Sequence, residues 1–353
     1  MNTVHKNVTL KAGDFIQPLF FLGSITKSYT KIESGSMPGF DWGNIMKKTT
    51  IGGQALLEGL LMMGPENIAI AVRKPDGEIV LDKKPLPKKT AISKVPFIRG
   101  SVNLFRQMVV GVKALMYSAD FVELEDNEEQ KPSKFDAFIE KLFKDKGKDA
   151  IIYASVIISL AVSIGLFIVL PNLLISLLHI GNEGGGVIIK NLIEGLVRIL
   201  LFFGYIYLAT LMNDIKRVWQ YHGAEHKSIH CYEHGDELTV ENVRKYSTKH
   251  PRCGTSFLFL VMIISIIMFS FLGWYHPLIN ALLRILCIPL VAGIAYEILR
   301  FSGRHTDWLI MKIVIAPGLL FQFLTTREPD DSQIEVALVA LKNVMVDNDS
   351  DKW

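Results

Sequence analysis

Between Ala150 and His179 the chain contains no Asp, Glu, Lys or Arg. Crossing the ~30 Å hydrocarbon core of a bilayer takes ~20 apolar residues of helix. This run exceeds that length, with Pro171 as the expected kink. Leu192–Met212, Phe257–Trp274 and Leu278–Leu299 have the same character, the last interrupted by Pro289. A fifth stretch, Trp308–Leu324, carries Lys312 and Pro317, barely reaches spanning length, and reads as interfacial or re-entrant. Hydrophobic residues make up 50% of the chain and mean hydropathy is +0.30, which suits about four spans plus sizeable soluble parts. The expected fold class is an α-helical multi-pass membrane protein. It has about four spans, one interfacial or re-entrant helix and a small cytoplasmic α+β N-terminal domain, with the lipid bilayer as its first partner.

Orientation follows from Lys and Arg in the short flanking segments. Lys131, Lys134, Lys141, Lys144, Lys146 and Lys148 precede the first span, and Lys216, Arg217, Lys227, Arg244, Lys245, Lys249 and Arg252 lie between the second and third. Gly181–Val187 and Tyr275–Pro277 contain neither residue type. The expected location is a cell membrane, with both termini and the 213–254 loop cytoplasmic and its cysteines reduced. Phe15–Gly23 is too short and too interrupted for a cleavable signal. The net charge of +3 is small and its basic residues track membrane flanks, so no nucleic-acid partner is expected.

Residues 1–48 show no periodicity and carry no readable role. A cytoplasmic α+β domain is expected over 49–122. Gly52–Gly59 reads as a helical turn that aligns Gln54 with Glu58, ended by Gly64-Pro65. Ile68–Arg73 and Glu78–Leu81 alternate as strands around Lys74-Pro75-Asp76-Gly77, a hairpin turn in which Gly takes the left-handed position. Pro96-Phe97-Ile98 opens a helix to about Val122, whose face of Phe105, Val109, Val112, Leu115 and Met116 suits either the hairpin or the bilayer. Residues 123–149 comprise an acidic linker, Glu123–Gln130, and an amphipathic lead-in, Phe135–Lys148. The membrane domain is expected over 150–325 and a cytoplasmic tail over 326–353, with Ile334, Val336, Leu338, Val339 and Leu341 on a helix that packs on the soluble part.

The chemistry concentrates in the 213–254 loop. The chain has nine His and three Cys, yet His222, His226, His230, His234 and His250, with Cys231 and Cys253, all fall between His222 and Cys253. Imidazole and thiolate bind borderline-soft metals such as zinc. On a helix, His222 and His226 share a face, with Glu225 beside them. The order His-x-x-Glu-His inverts the zinc-peptidase motif, in which the carboxylate is general base. The competing reading is an imidazole network with Lys and backbone carbonyls. Glu225 also has Lys227 or Arg217 as potential ion-pair partners. His230 and His234 continue the spacing, but each step drifts ~40° around a helix, so all four cannot share one ion without a bend. Gly235 is the expected helix stop and Thr239 the cap of the next short helix. Because both loop ends join membrane helices, His250 and Cys253 can fold back beside His222 and His226; the alternative makes Pro251 and Gly254 mere turn formers.

Ionisable residues inside spans are costly and usually paired or functional. Glu194 and Arg198 are four apart on the second span, whereas Arg284 has no local partner. Glu297 lies at the cytoplasmic end of the fourth, a candidate third ligand with Arg300 or Arg304 as the competing partners.

Several segments in one order resemble the YqhQ-like family of multi-pass bacterial membrane proteins. They are Gly52-Gly53-Gln54-Ala55 with Glu58-Gly59, Tyr221–Lys227, Cys231-Tyr232-Glu233, Leu238–Val243, His250–Phe257, Pro289–Gly293, Tyr296-Glu297, Pro317-Gly318 and Thr325–Pro329. The resemblance covers roughly residues 51–345 and implies a membrane protein described as a predicted metal-dependent enzyme of unknown reaction. Met63 stands where the family is expected to carry Arg, and residues 1–48 have no recognised counterpart.

The expected function is a zinc-dependent hydrolase, peptidase-like or lipid-esterase-like, at the cytoplasmic membrane face. Glu225 is the candidate catalytic base; His222, His226, His250, Cys253 and Glu297 are the candidate ligands, for zinc or another divalent transition metal. The alternative is a non-enzymatic transporter or channel using Glu194, Arg198 and Arg284, or a scaffold with a structural His/Cys site. Substrate, protein partner and oligomeric state are open.

Overall fold

The structure, a computed structural model, describes residues 47–87, 92–121, 148–178, 180–181, 184–305, 308–346 and 348–352. The N-terminal extension up to residue 46, the acidic linker and most of the amphipathic lead-in lie outside the described residues.

Four strands form an antiparallel meander in the order β1 (Gly52–Leu56), β2 (Gly59–Met63), β3 (Asn67–Arg73) and β4 (Ile79–Pro85). The helical reading of Gly52–Gly59 is corrected here: the segment is a hairpin, with Gly52 opposite Met63 and Leu56 opposite Gly59. Only Leu57 and Glu58 make its turn, and Glu58 takes φ 46. A tertiary contact holds that unfavourable backbone, since Arg217 grips both oxygens of the Glu58 carboxylate. The β3–β4 hairpin forms where expected, with Gly77 at φ 88.

Alternating side chains divide the sheet between two cores. Leu60, Met62, Ala69 and Ala71 face one way, against α5 (Asn213–His234) and α10 (Asp331–Lys342). Leu56, Leu61, Ile68, Ile70 and Val72 face the other way, against Val110, Ala114 and Tyr117 of α1 (Ile98–Ala119). The sheet domain is thus assembled from three separated stretches of chain. Asp330 and Gln333 start α10 with a reciprocal capping box, and its Ile334, Val336, Leu338 and Leu341 enter the first core.

The apolar helices are α2 (Lys148–Ile164), continuing through a π-turn at Gly165–Val169 into α3 (Leu170–Ser176), then α4 (Gly185–Ala209), α7 (Gly254–Ser270), α8 (Pro277–Arg304) and α9 (Leu309–Thr325). The short α6 (Val240–Val243), capped by Thr239, lies between α5 and α7. Among the described residues, three helices are long and apolar enough to cross a membrane: Ala154–Ser176, Gly185–Ala209 and Pro277–Arg304. The stretch expected as the third span is shorter than its composition suggests, because Cys253 caps it and Phe271 closes it. At 17 residues, α7 equals α9 in length, so length does not separate a span from an interfacial helix here. Large apolar side chains such as Leu200, Leu278, Leu282 and Leu286 are exposed along these helices, a surface that water would penalise and lipid would not.

Inside the bundle Arg284 is completely buried. It donates to Asn191 Oδ1 at 3.1 Å and to Glu194, which also accepts from Arg198 at 2.6 Å. The partner of Arg284 therefore comes from another helix.

Candidate metal centre

Helix α5 carries the motif. Gly235, at φ 76, ends it as expected. The glycine inside this helix, Gly223, costs ~1 kcal/mol in propensity relative to Ala, and the structure supplies its reason. The backbone carbonyl of Arg327 passes so close that any Cβ at Gly223 would collide with it. Arg327 N–H also donates to Trp219 O at 2.9 Å. The end of α9 and the segment after it are thereby laid along α5, and the Thr325 carbonyl accepts from His222 Nδ1 at 2.7 Å. One turn on, His226 Nδ1 donates to Thr248 O at 2.6 Å.

With both Nδ1 atoms committed to carbonyls, Nε2 is the nitrogen left over on each ring. His222 Nε2 lies 3.2 Å from Cys253 Sγ. His226 Nε2 is buried and makes no hydrogen bond among the described residues. His222, His226 and Cys253 each offer one ligand atom, all within 4.8 Å of one another, and all three residues are buried. A carbonyl on Nδ1 that turns Nε2 inward is how proteins orient metal-binding histidines, and two imidazole nitrogens with one sulfur form a donor set for a borderline-soft transition metal such as zinc or copper. Cys253 caps α7 and accepts from Thr255 N–H at 3.4 Å, a setting that suits an anionic ligand.

Glu225 is also buried, and its Oε1 accepts from Gly53 N–H at 2.7 Å. Burial raises its carboxyl above the usual range, against the pull of His222 and the Gly53 N–H. A Cβ at Gly53 would press within 3.1 Å of the Glu225 carboxyl carbon, so the hairpin approaches the site through a glycine for steric reasons. Lys227 and Arg217, the alternative partners, are taken by Glu328 and Glu58.

His250 belongs to a second cluster, with His230 and Glu233, although its ring lies only 5.6 Å from that of His226. There Glu233 accepts from Arg252, from Thr49 N–H at 2.7 Å and from His250 Nε2 at 3.3 Å. His230 Nε2 donates to Lys249 O at 2.8 Å. Burial pushes His226 down to about 4 and His230 to about 3, and holds His250 well below the ordinary imidazole value. Glu297 is not brought to either cluster: it forms a two-pronged ion pair with Arg99 of α1.

The residues that sequence reasoning missed are mostly backbone groups. Besides the Thr248 and Thr325 carbonyls, Gln322 of α9 clamps His250, accepting from its N–H and donating to its carbonyl at 2.8 Å each. A glycine inside a helix and a buried glutamine in an apolar one were the only available signals.

The family described as "Protein of unknown function (DUF1385)" matches residues 95–347. The chain belongs to this family. The "Uncharacterized protein YqhQ" of Bacillus subtilis (strain 168) is 34% identical over 299 residues, covering 83% of this chain and 92% of that protein. No solved structure matches the chain. The membrane and metal features thus rest on the spans and the buried cluster described above.

Proposed function

We propose that this protein is an integral membrane metallohydrolase, with His222, His226 and Cys253 as zinc ligands and Glu225 as general base. The observation that carries the proposal is the pair of carbonyl-anchored imidazoles whose Nε2 atoms converge on one buried sulfur, with His226 Nε2 making no other hydrogen bond among the described residues. Three protein ligands with an open fourth position are the arrangement of catalytic rather than structural zinc. A bound zinc ion would supply Lewis acidity toward a carbonyl and toward water. The carboxylate of Glu225 takes the proton from the attacking water and later returns it to the leaving group; its raised proton affinity suits both steps. Gly53 N–H holds one oxygen of that carboxylate, which leaves the other for the proton. The site opens toward the cytoplasmic face in this proposal, a side supported by the Lys and Arg that flank the loop. A peptide bond of a membrane protein or a lipid ester is the substrate class within reach.

Elemental analysis of detergent-purified protein tests the metal, with about one zinc per chain expected. His222→Ala and Cys253→Ala should each lose it. Glu225→Gln should keep the metal and lose turnover of ester or peptide probes. No stoichiometric metal in the intact protein would sink the proposal, and metal with no effect of Glu225→Gln would favour a structural site on a non-catalytic scaffold.

A further inference from the structure

The apolar face of helix α1 suited either the hairpin or the bilayer, and the helix divides between two neighbours. Val110, Ala114 and Tyr117 pack on the sheet. Its first turns lie instead on α8. Gly100 faces Gly293, and a Cβ on Gly100 would come within 2.9 Å of the Gly293 Cα and 2.7 Å of the Tyr296 Cβ. Such glycine-to-glycine approach is typical of helix pairs inside bilayers. Ser101 donates to the Pro289 carbonyl, Asn103 to Tyr296 Oη at 3.2 Å, and Arg99 pairs with Glu297.

The depth of these contacts follows from helix length. The 28 residues of α8 measure about 42 Å, more than the ~30 Å hydrocarbon core. Pro289 lies roughly 22 Å along the axis from Arg304, close to the midpoint, and Glu297 roughly 10 Å from that end. If α8 crosses the bilayer, the start of α1 is at hydrocarbon depth. Its outward side chains agree: Phe97, Ile98, Leu104, Phe105 and Met108 are exposed, Phe105 to 65%. An aqueous setting would leave this apolar row uncovered.

We propose that the first half of α1 is inserted in the lipid bilayer beside α8, with its Phe97–Met108 face against acyl chains. The occupant is lipid because the row continues the exposed apolar surface of the spans, and because the two cations of this half are satisfied within the protein, Arg99 by Glu297 of α8 and Arg106 by the Pro87 carbonyl at 2.5 Å. Helix α1 then acts as a post from hydrocarbon to sheet, setting the height of β1, and with it the Gly53 contact to Glu225, over the membrane. The inference rests on α8 being a span, as the proposed function does.

Fluorescence quenching by lipids carrying a mid-chain nitroxide tests it in the full-length protein in vesicles. Bimane is attached at Phe105→Cys, Ile98→Cys, Leu282→Cys on α8 or Lys84→Cys on β4, each in a Cys287→Ser background. Quenching at Phe105 and Ile98 should match that at Leu282 and exceed that at Lys84 by about twofold or more. Quenching at Leu282 with none at Phe105 or Ile98 would overturn the inference and leave the spans standing. No quenching at any position would overturn both. Disulfide-linked dimers through Phe105→Cys without lipid quenching would assign the face to a second copy of the chain, and also overturn it.

Discussion

Two clusters of buried histidines sit one turn apart on α5, and their polar atoms are occupied differently. In the His222/His226/Cys253 cluster both imidazoles are anchored by carbonyls and one Nε2 has no hydrogen bond. In the His230/Glu233/His250 cluster the carboxylate is occupied by Arg252, Thr49 and His250. A guanidinium is a permanent cation, so the second cluster already contains the positive charge a metal would bring. The difference does not arise from spacing on the helix, which is the same. It arises from what the 248–253 loop delivers to each turn: a thiol at one, an arginine at the next.

The largest expected effect separates the clusters by metal content. His226→Ala should abolish zinc binding, because two remaining protein ligands no longer make a tight site. His230→Ala should leave the zinc content unchanged. Equal losses measured by elemental analysis would mean the two clusters form one centre.

Glu233→Ala should cost about 3–5 kcal/mol of stability, since it removes the carboxylate from a buried ion pair with Arg252. Chemical denaturation of the full-length protein in detergent, followed by a probe on α5, measures this. Little change would show that the second cluster is not the ion-pair network described. Glu233→Ala with Arg252→Met should recover much of the loss.

Smaller effects are expected from the residues that hold the ligands. Gln322→Leu frees the His250 loop, and Gly223→Ala drives the Arg327 carbonyl away from α5 together with the Thr325 carbonyl behind His222. Each should weaken zinc affinity about 10–100-fold in competition with a chromophoric chelator. A tighter site in Gly223→Ala would mean that helix propensity outweighs the collision.

The last comparison is with pH, in metal-free protein. His226 and His230 are held neutral by burial, at about 4 and about 3 against an ordinary 6.5. The unfolded chain therefore binds protons first as pH falls through 6.5, and the folded state loses stability from there down toward pH 4. One pH unit below 6.5 should cost roughly 1 kcal/mol per group. Above pH 7 these groups contribute no slope. A chelated sample whose stability is flat between pH 6.5 and 5 would contradict the burial of both rings.

The spans, the His/Cys loop, the β3–β4 hairpin and the tail helix were all legible before any coordinates, since each is a local pattern of hydrophobicity, turn chemistry or metal-binding side chains. The Gly52–Gly59 segment was misread because its hairpin turn sets Glu58 at φ 46, a conformation that pays only when Arg217 of a distant helix grips the carboxylate. Glu297 looked like a ligand because the Lys and Arg pattern of the loops put it on the same side as the His/Cys loop. Its partner, Arg99, stands 198 residues earlier in the chain, beyond any local rule. The division between the two clusters was equally hidden, because His226 and His230 have identical spacing and only carbonyls and loop residues distinguish them.

By itself, then, the sequence determined that this chain has membrane-length apolar helices and concentrates soft metal ligands in one loop, because hydrocarbon thickness and imidazole chemistry depend on residue type and run length alone. Which imidazoles keep a free nitrogen was decided by tertiary structure. The backbone carbonyls of Thr248 and Thr325, the Gly53 N–H and the Arg252 guanidinium act through position, and position is set only when three separated stretches of chain close around one sheet.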